Sequence, residues 1–275
     1  MFENTNDAEV LEKTRGFVLR EVKFRDQSKI CQLFTERFGT ISVILKGVRS
    51  PKNRMSGLFS TGNMVELVLY RKHNRDLHLV RDARLLHSPL AAMPDLERFS
   101  AMYRLVETLR EVTGTEEPYP ALFGALALAL EQICRTGEHD YEMMLAWFLA
   151  RMASILGFEP EIDRCVLSGR PLRPLDDDAY SNGFWLLTDP GGIALTGPGS
   201  TSSVGKQSVS ADAYLLLCTL CGRRREMPAN HRPSHAATME LSNLLQDYCT
   251  AQVDHQPHEK NRRIISRLLT EDGEG

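Results

Sequence analysis

Residues 30–49 read ICQLFTERFGTISVILKGVR, and the fold turns on how this stretch is read. Apolar and polar side chains alternate through residues 30–35 and 40–46, with Gly39 between the two runs. A period of two marks a half-buried strand, and a glycine between two such runs marks a tight turn. Working outward, residues 16–22 (GFVLREV), 64–70 (MVELVLY) and 77–85 (LHLVRDARL) carry the same pattern. Gly47 and the Ser/Pro/Asn-rich run 50–56 supply a longer turn. Five short strands in this space fit a small closed barrel, and a five-strand barrel with a basic face suggests an OB-fold.

After Pro89 the period lengthens. Leu96, Phe99, Met102, Tyr103, Leu105, Val106 and Leu109 have helical spacing, which predicts a helix over 95–112, continued at 121–134 and 141–156. Gly137 and Gly157 stand where helix stops belong. Residues 158–206 are rich in Gly, Pro, Ser and Asp and read as an irregular insert holding one hairpin, 184–188 with 193–195. Helices resume at 211–220, 236–250 and 259–269. The expected class is α+β: an acidic flexible extension (1–14), an OB-fold β-barrel (15–87), and an α-helical domain (88–275) with its insert. No secretory pattern opens the chain, and its most apolar run, 121–130, is too short to span a bilayer, so a cytoplasmic location is expected. The six cysteines are expected to be reduced thiols.

The net charge of −3 hides a strong asymmetry. Residues 15–86 hold fifteen Lys/Arg against six Asp/Glu, whereas 87–275 hold seventeen against twenty-six. A small basic module joined to an acidic one attracts polyanions whatever the overall pI. Within it, Lys46 ends the apolar strand 40–46, with Arg49, Lys52 and Arg54 following on one loop, and no acidic residue occurs from Arg37 to Val65. Arg71, Lys72 and Arg75 form a second cluster at the next hairpin, and Arg20 and Arg81 lie in strand patterns. Such cations can track a phosphate backbone and release counterions. Phe24 and Phe59, in loop-like stretches, are the candidates for stacking on a base, while Phe34 and Tyr70 read as core.

Catalysis finds no support. There is no GxSxG, the glycines at 191–192 and 197–199 lack the Lys and Ser/Thr of a phosphate loop, and Asp176, Asp177 and Asp178 read as a solvated turn. Cys218 and Cys221, with His231 and His235, have zinc-ligand residue types, but both cysteines sit in an apolar helical run and read as buried thiols. No metal and no cofactor is expected.

The ordered set GFVLR (16–20), LFTE (33–36), Gly39, VILKGVR (43–49) and LHLVRDA (77–83) resembles the N-terminal domain of the bacterial RecO family. The segment CVLSGRP (165–171) is similar to the CxxCG motif that opens that family's zinc-binding insert, but Ser168 replaces the second cysteine and the second CxxC is missing. The resemblance implies an OB-fold followed by helices, and a non-enzymatic mediator of DNA repair and recombination in the bacterial cytoplasm, associated with the nucleoid. It implies binding and annealing of single-stranded DNA, binding of double-stranded DNA, and action with RecR in loading RecA onto DNA coated by the single-strand-binding protein SSB. It also implies a site for the SSB C-terminal tail, for which Phe99, Tyr103, Arg104, Arg262, Arg263 and Arg267 are candidates. Two other classes compete: a protein scaffold whose basic barrel binds an acidic partner, and a metal-dependent nucleic-acid enzyme.

Overall fold

A computed structural model describes residues 10–48, 53, 55, 57–71, 75–89, 95–114, 116–135, 141–172, 183–195, 205–221 and 233–252. These residues fall into two compact units that divide at Phe123.

The first unit holds five strands: β1 (Val10–Phe24), β2 (Ser28–Thr35), β3 (Gly39–Leu45), β4 (Met64–Arg71) and β5 (Leu77–His87). They close into a barrel in the order β1-β2-β3-β5-β4, with β4 returning to β1. All neighbours are antiparallel except β3 and β5. This is the five-strand architecture expected from the alternation. β1 serves two neighbours. Its first half pairs with β4, and its second half pairs with β2 after a bulge at Leu19. For that reason it begins at Val10, inside the stretch expected as a flexible extension.

The inward rows of the strands, with Val18, Leu33, Val43, Leu67 and Leu69 at their centre, form one apolar core. The connection after β3 closes one end of the barrel by inserting Val48 and Phe59 into that core. It begins with Gly47 in the left-handed region (φ 66°), a conformation that glycine adopts without strain. Asn53 then staples it, donating from Nδ2 to the Gly47 carbonyl (3.1 Å) and accepting from the Met55 N–H (2.8 Å). Helix α1 (Leu96–Val112) belongs to this unit. Asp95 caps it by accepting from the N–H groups of Glu97 and Arg98. Its end is bound to the barrel where the Thr113 and Thr40 hydroxyls meet at 3.2 Å and the Glu116 N–H donates to the Thr40 carbonyl. These contacts join the helix to β3, so the unit continues past the boundary expected at residue 88.

Helix α2 (Pro120–Arg135) starts in the first unit and continues into the second. The second unit also holds α3 (Tyr141–Leu156), β6 (Phe184–Leu187), β7 (Gly192–Leu195), β8 (Lys206–Val209), α4 (Ala211–Cys221) and α5 (His235–Ala251). Helices α3, α4 and α5 pack through Leu145, Leu149, Met152, Leu217, Leu241 and Leu245, all buried. The insert carries one strand more than the expected hairpin, because β8 pairs with β6. The Phe184 ring stacks on Tyr214 of α4 at 4.1 Å, which fixes the small sheet to the helices. The helix expected at 259–269 lies outside the described residues. No described helix is long and apolar enough to cross a membrane.

Candidate nucleic-acid interface

Strand register decides which cations share a region. Lys23 of β1 pairs with Lys29 of β2, which pairs with Leu45 of β3, the residue before Lys46. The parallel β3–β5 pairing ends at Ile44 with Leu79. Lys46 and Arg81 each lie two residues beyond that last pair. Lys23, Lys29, Lys46 and Arg81 thus lie toward the same end of four neighbouring strands, Lys23 and Lys29 in register with the core residue Leu45, and Lys46 and Arg81 each directly after a core residue, Leu45 and Val80. Lys23, Lys46 and Arg81 are exposed and have no ion-pair partner among the described residues. Lys29 is bound to Glu21 at 2.5 Å. Arg49, Lys52 and Arg54 lie on the same connection as Lys46 but outside the described residues, as does Lys72.

Arg71 and Arg75 are elsewhere. Arg71 pairs with Val10, at the opposite end of β1 from Lys23, so these two described cations do not share one end of that strand. Arg71 is also already engaged. Its guanidinium lies 4.5 Å from the Phe38 ring centroid and pairs with Glu116 at 3.1 Å. It is thus partnered within its own unit. Arg75 is exposed at that same end, next to β5. Arg20 is exposed on β1 and pairs with Gln32, three positions before the Lys23 level and on the other side of the sheet.

In OB-folds, the outer face of the second and third strands and the loops beside it commonly receive oligonucleotides. Here that face is covered. Phe34 packs against Phe123 (6.1 Å between centroids), Thr40 meets Thr113, and Ile30, Gln32 and Ser42 are each only 5% exposed. Cations remain accessible at the barrel ends. On the outer side of β1, β4 and β5 the charges neutralise one another. Glu66 receives Lys13 (2.9 Å) and Arg84 (2.8 Å), and Glu36 binds Arg15. Hydrogen bonds from these partners hold the carboxyls of Glu66 and Glu36 below their usual range.

The stacking candidates part company. Phe59 is 1% exposed and fills the barrel core, so it has no face to offer a base. Its loop position suggested exposure, but the loop folds inward. Phe24 is half-buried beside the β1–β2 turn, with the Arg25 guanidinium 5.1 Å from its centroid. Phe34 is core, as expected, and Tyr70 is partly exposed on β4. On α1, Phe99 and Tyr103 share one exposed helix face and stack at 6.2 Å. Leu96, 82% exposed, extends that apolar stripe. Arg104 is half-buried, and Arg262, Arg263 and Arg267 lie outside the described residues.

His78 is a buried polar group that the sequence reading missed. It shares an inward-facing pair with Val43, and neither ring nitrogen has a hydrogen-bond partner. Glu116 approaches Nε2 at 3.9 Å. Burial drives its pKa below the usual 6.5, against the pull of Glu116. The folded chain therefore takes up this proton less readily than the unfolded chain, and the His78 contribution to stability is lost as pH falls from 6.5 through the folded value. Denaturant midpoints measured from pH 7.5 to 5 should fall, and less steeply in His78→Gln. Equal slopes in both proteins would assign the pH dependence to other groups.

The insert departs from the zinc-binding motif to which residues 165–171 are similar. Cys165 keeps its turn, with the Gly169 N–H donating to the Cys165 carbonyl at 2.8 Å. Its sulfur accepts from the Leu195 N–H at 3.4 Å. Burial raises the thiol pKa, but hydrogen bonds from the Ser168 hydroxyl and from backbone N–H groups outweigh it, and the net shift is downward. Backbone and hydroxyl donors occupy the sulfur, and Ser168 supplies an alcohol where a second thiolate is needed. No cluster of three or more His, Cys, Asp or Glu among the described residues is arranged to hold a metal ion. Cys218 is half-buried in α4, and burial pushes its thiol up to about 11, as for a packing residue. His231 lies outside the described residues.

A closed five-strand barrel with a basic end, followed by a helical unit with a small sheet, places this chain among OB-fold proteins that pair a barrel with helices. Residues 10–89 match the family model described as recombination protein O N terminal, and residues 93–262 match recombination protein O C terminal. The chain belongs to the RecO family. The DNA repair protein RecO of Prosthecochloris aestuarii is 53% identical over 260 residues, covering 94% of this chain and 98% of that protein. That of Chlorobium phaeobacteroides (strain BS1) is 44% identical, covering 95% and 100%. That of Chloroherpeton thalassium is 30% identical, covering 94% and 100%.

Proposed function

We propose that this chain is a DNA repair and recombination mediator that binds single-stranded DNA and anneals complementary strands. The observation that carries the reading is the gathering of Lys23, Lys29, Lys46 and Arg81 toward one end of neighbouring strands of a closed OB barrel, in a chain whose relatives are named DNA repair proteins. The basic end binds phosphates and makes little readout of bases, since the barrel aromatics Phe17, Phe34, Phe38 and Phe59 are buried. Two strands held there have their mutual repulsion neutralised, which favours pairing. The role is one of binding, with no chemical step, in the bacterial cytoplasm. Double-stranded DNA binds by the same phosphate contacts.

RecR, the SSB tail and, through them, RecA are the proposed partners. The Phe99 and Tyr103 stack on α1 offers the SSB tail an apolar surface, with Arg104 close in sequence and Arg262, Arg263 and Arg267 as further candidate cations. Annealing of two labelled complementary oligonucleotides, followed by energy transfer, tests the main reading. The protein should accelerate pairing at low salt and lose that effect as salt rises. DNA binding without acceleration would leave a DNA-binding scaffold. Binding of an acidic protein with no DNA affinity would favour the protein-scaffold class.

A further inference from the structure

The Glu21–Lys29 pair sits inside the proposed DNA track, and its geometry suggests a function beyond holding the hairpin. Lys29, opposite Lys23 on β1 and Leu45 on β3, is already neutralised, bound at 2.5 Å by a carboxylate from the neighbouring strand. Glu21 pairs with Cys31, one inward position deeper than the Lys23–Lys29 pair, so its side chain reaches toward the barrel end to meet Lys29. Both partners are partly open to solvent, Lys29 at 22% and Glu21 at 33%. A partly exposed pair of this kind contributes little to stability, about 0–1 kcal/mol. Exchange of partners by Lys29 therefore costs the fold little.

We propose that Glu21 is an internal competitor for the DNA backbone: a seated strand takes Lys29 from Glu21, and the released carboxylate lowers affinity. The track is Lys23, Lys29, Lys46 and Arg81, and its ligand is the phosphate backbone of a single strand. Lys23 and Lys29 become DNA-binding residues alongside Lys46. This inference rests on the DNA-binding reading above. A competitor within the site keeps binding reversible, which suits a protein that must release strands once they have paired.

Glu21→Gln frees Lys29 and removes the repelling charge. With the competing carboxylate gone and the Lys29 contact to phosphate kept, affinity for an oligothymidylate should rise roughly five-fold at about 0.1 M salt. Glu21→Gln/Lys29→Gln should lose the gain, because no cation is left to free. Glu12→Gln is the control for bulk charge: Glu12 pairs with Arg37 at 2.9 Å at the far end of β1, and its loss should leave affinity unchanged. Circular dichroism establishes that each variant folds. An unchanged or weakened Glu21→Gln, or an equal gain from Glu12→Gln, overturns the competitor while wild-type binding leaves the DNA reading standing. Absence of wild-type binding at low salt overturns both.

Discussion

Replacing Lys46, Arg49, Lys52 and Arg54 together by alanine is expected to weaken binding of a single-stranded oligonucleotide by a factor on the order of 10²–10³ at about 0.1 M salt. Each phosphate contact contributes about 0.7 to the salt slope for a single strand, so four lost contacts flatten it by nearly three. Lys46 is exposed, and the other three lie on the connection that leaves it. The core contacts of that connection come from Val48 and Phe59, which the variant leaves in place. Folding should therefore survive, and fluorescence anisotropy against salt isolates the electrostatic loss. The matching substitutions Arg71→Ala and Arg75→Ala, at the other end of the barrel, should change affinity far less. Arg71→Ala should instead cost stability, because it removes the ion pair with Glu116 and a guanidinium packed on the Phe38 ring. A four-fold variant that binds like wild type would remove this loop from the interface.

The second large effect concerns Phe59. Truncation of a fully buried phenylalanine removes its transfer energy and leaves a cavity, at a cost of about 3–5 kcal/mol. Phe59→Ala should lose that amount in denaturant unfolding, a large part of the 5–15 kcal/mol typical of a domain. Where the variant is still folded, its affinity for DNA should match wild type. A variant with unchanged stability and weakened binding would show instead that the ring meets a base.

The strands were legible because one face of each is buried, and burial of alternate residues writes a period of two into the sequence. The helices were legible for the corresponding reason. What escaped is non-local. β8 (KQSV) places one residue, Val209, in the core, so no alternation announces it. The first half of β1 reads as polar because its inward positions include Glu12 and Thr14. Phe59 looked exposed because its neighbours are turn residues, yet the connection folds over the barrel end.

The site suffered most from this limit. A basic cluster is visible in sequence, but the end of the barrel on which it falls depends on strand direction. Lys46 leaves β3 at one end, whereas Arg71 leaves β4 at the other. Lys23 and Lys29 went unnoticed for the same reason: only register sets them opposite each other, with Leu45, the residue before Lys46, beside Lys29. Register was hinted at by the tight turn of residues 25–27, which forces Lys23 and Lys29 to face each other. Covering of the β2–β3 face could not be read locally, since it depends on Phe123 and Thr113, far along the chain.

The most direct test of where DNA lies is photo-crosslinking of the wild-type protein to an oligonucleotide containing 4-thiothymidine, followed by peptide identification. Crosslinks concentrated in residues 20–31 and 44–63, and suppressed by salt, are the expected result. Crosslinks confined to residues 141–156 and 235–251, with the barrel unlabelled, would contradict a DNA site on the barrel and move it to the helical unit.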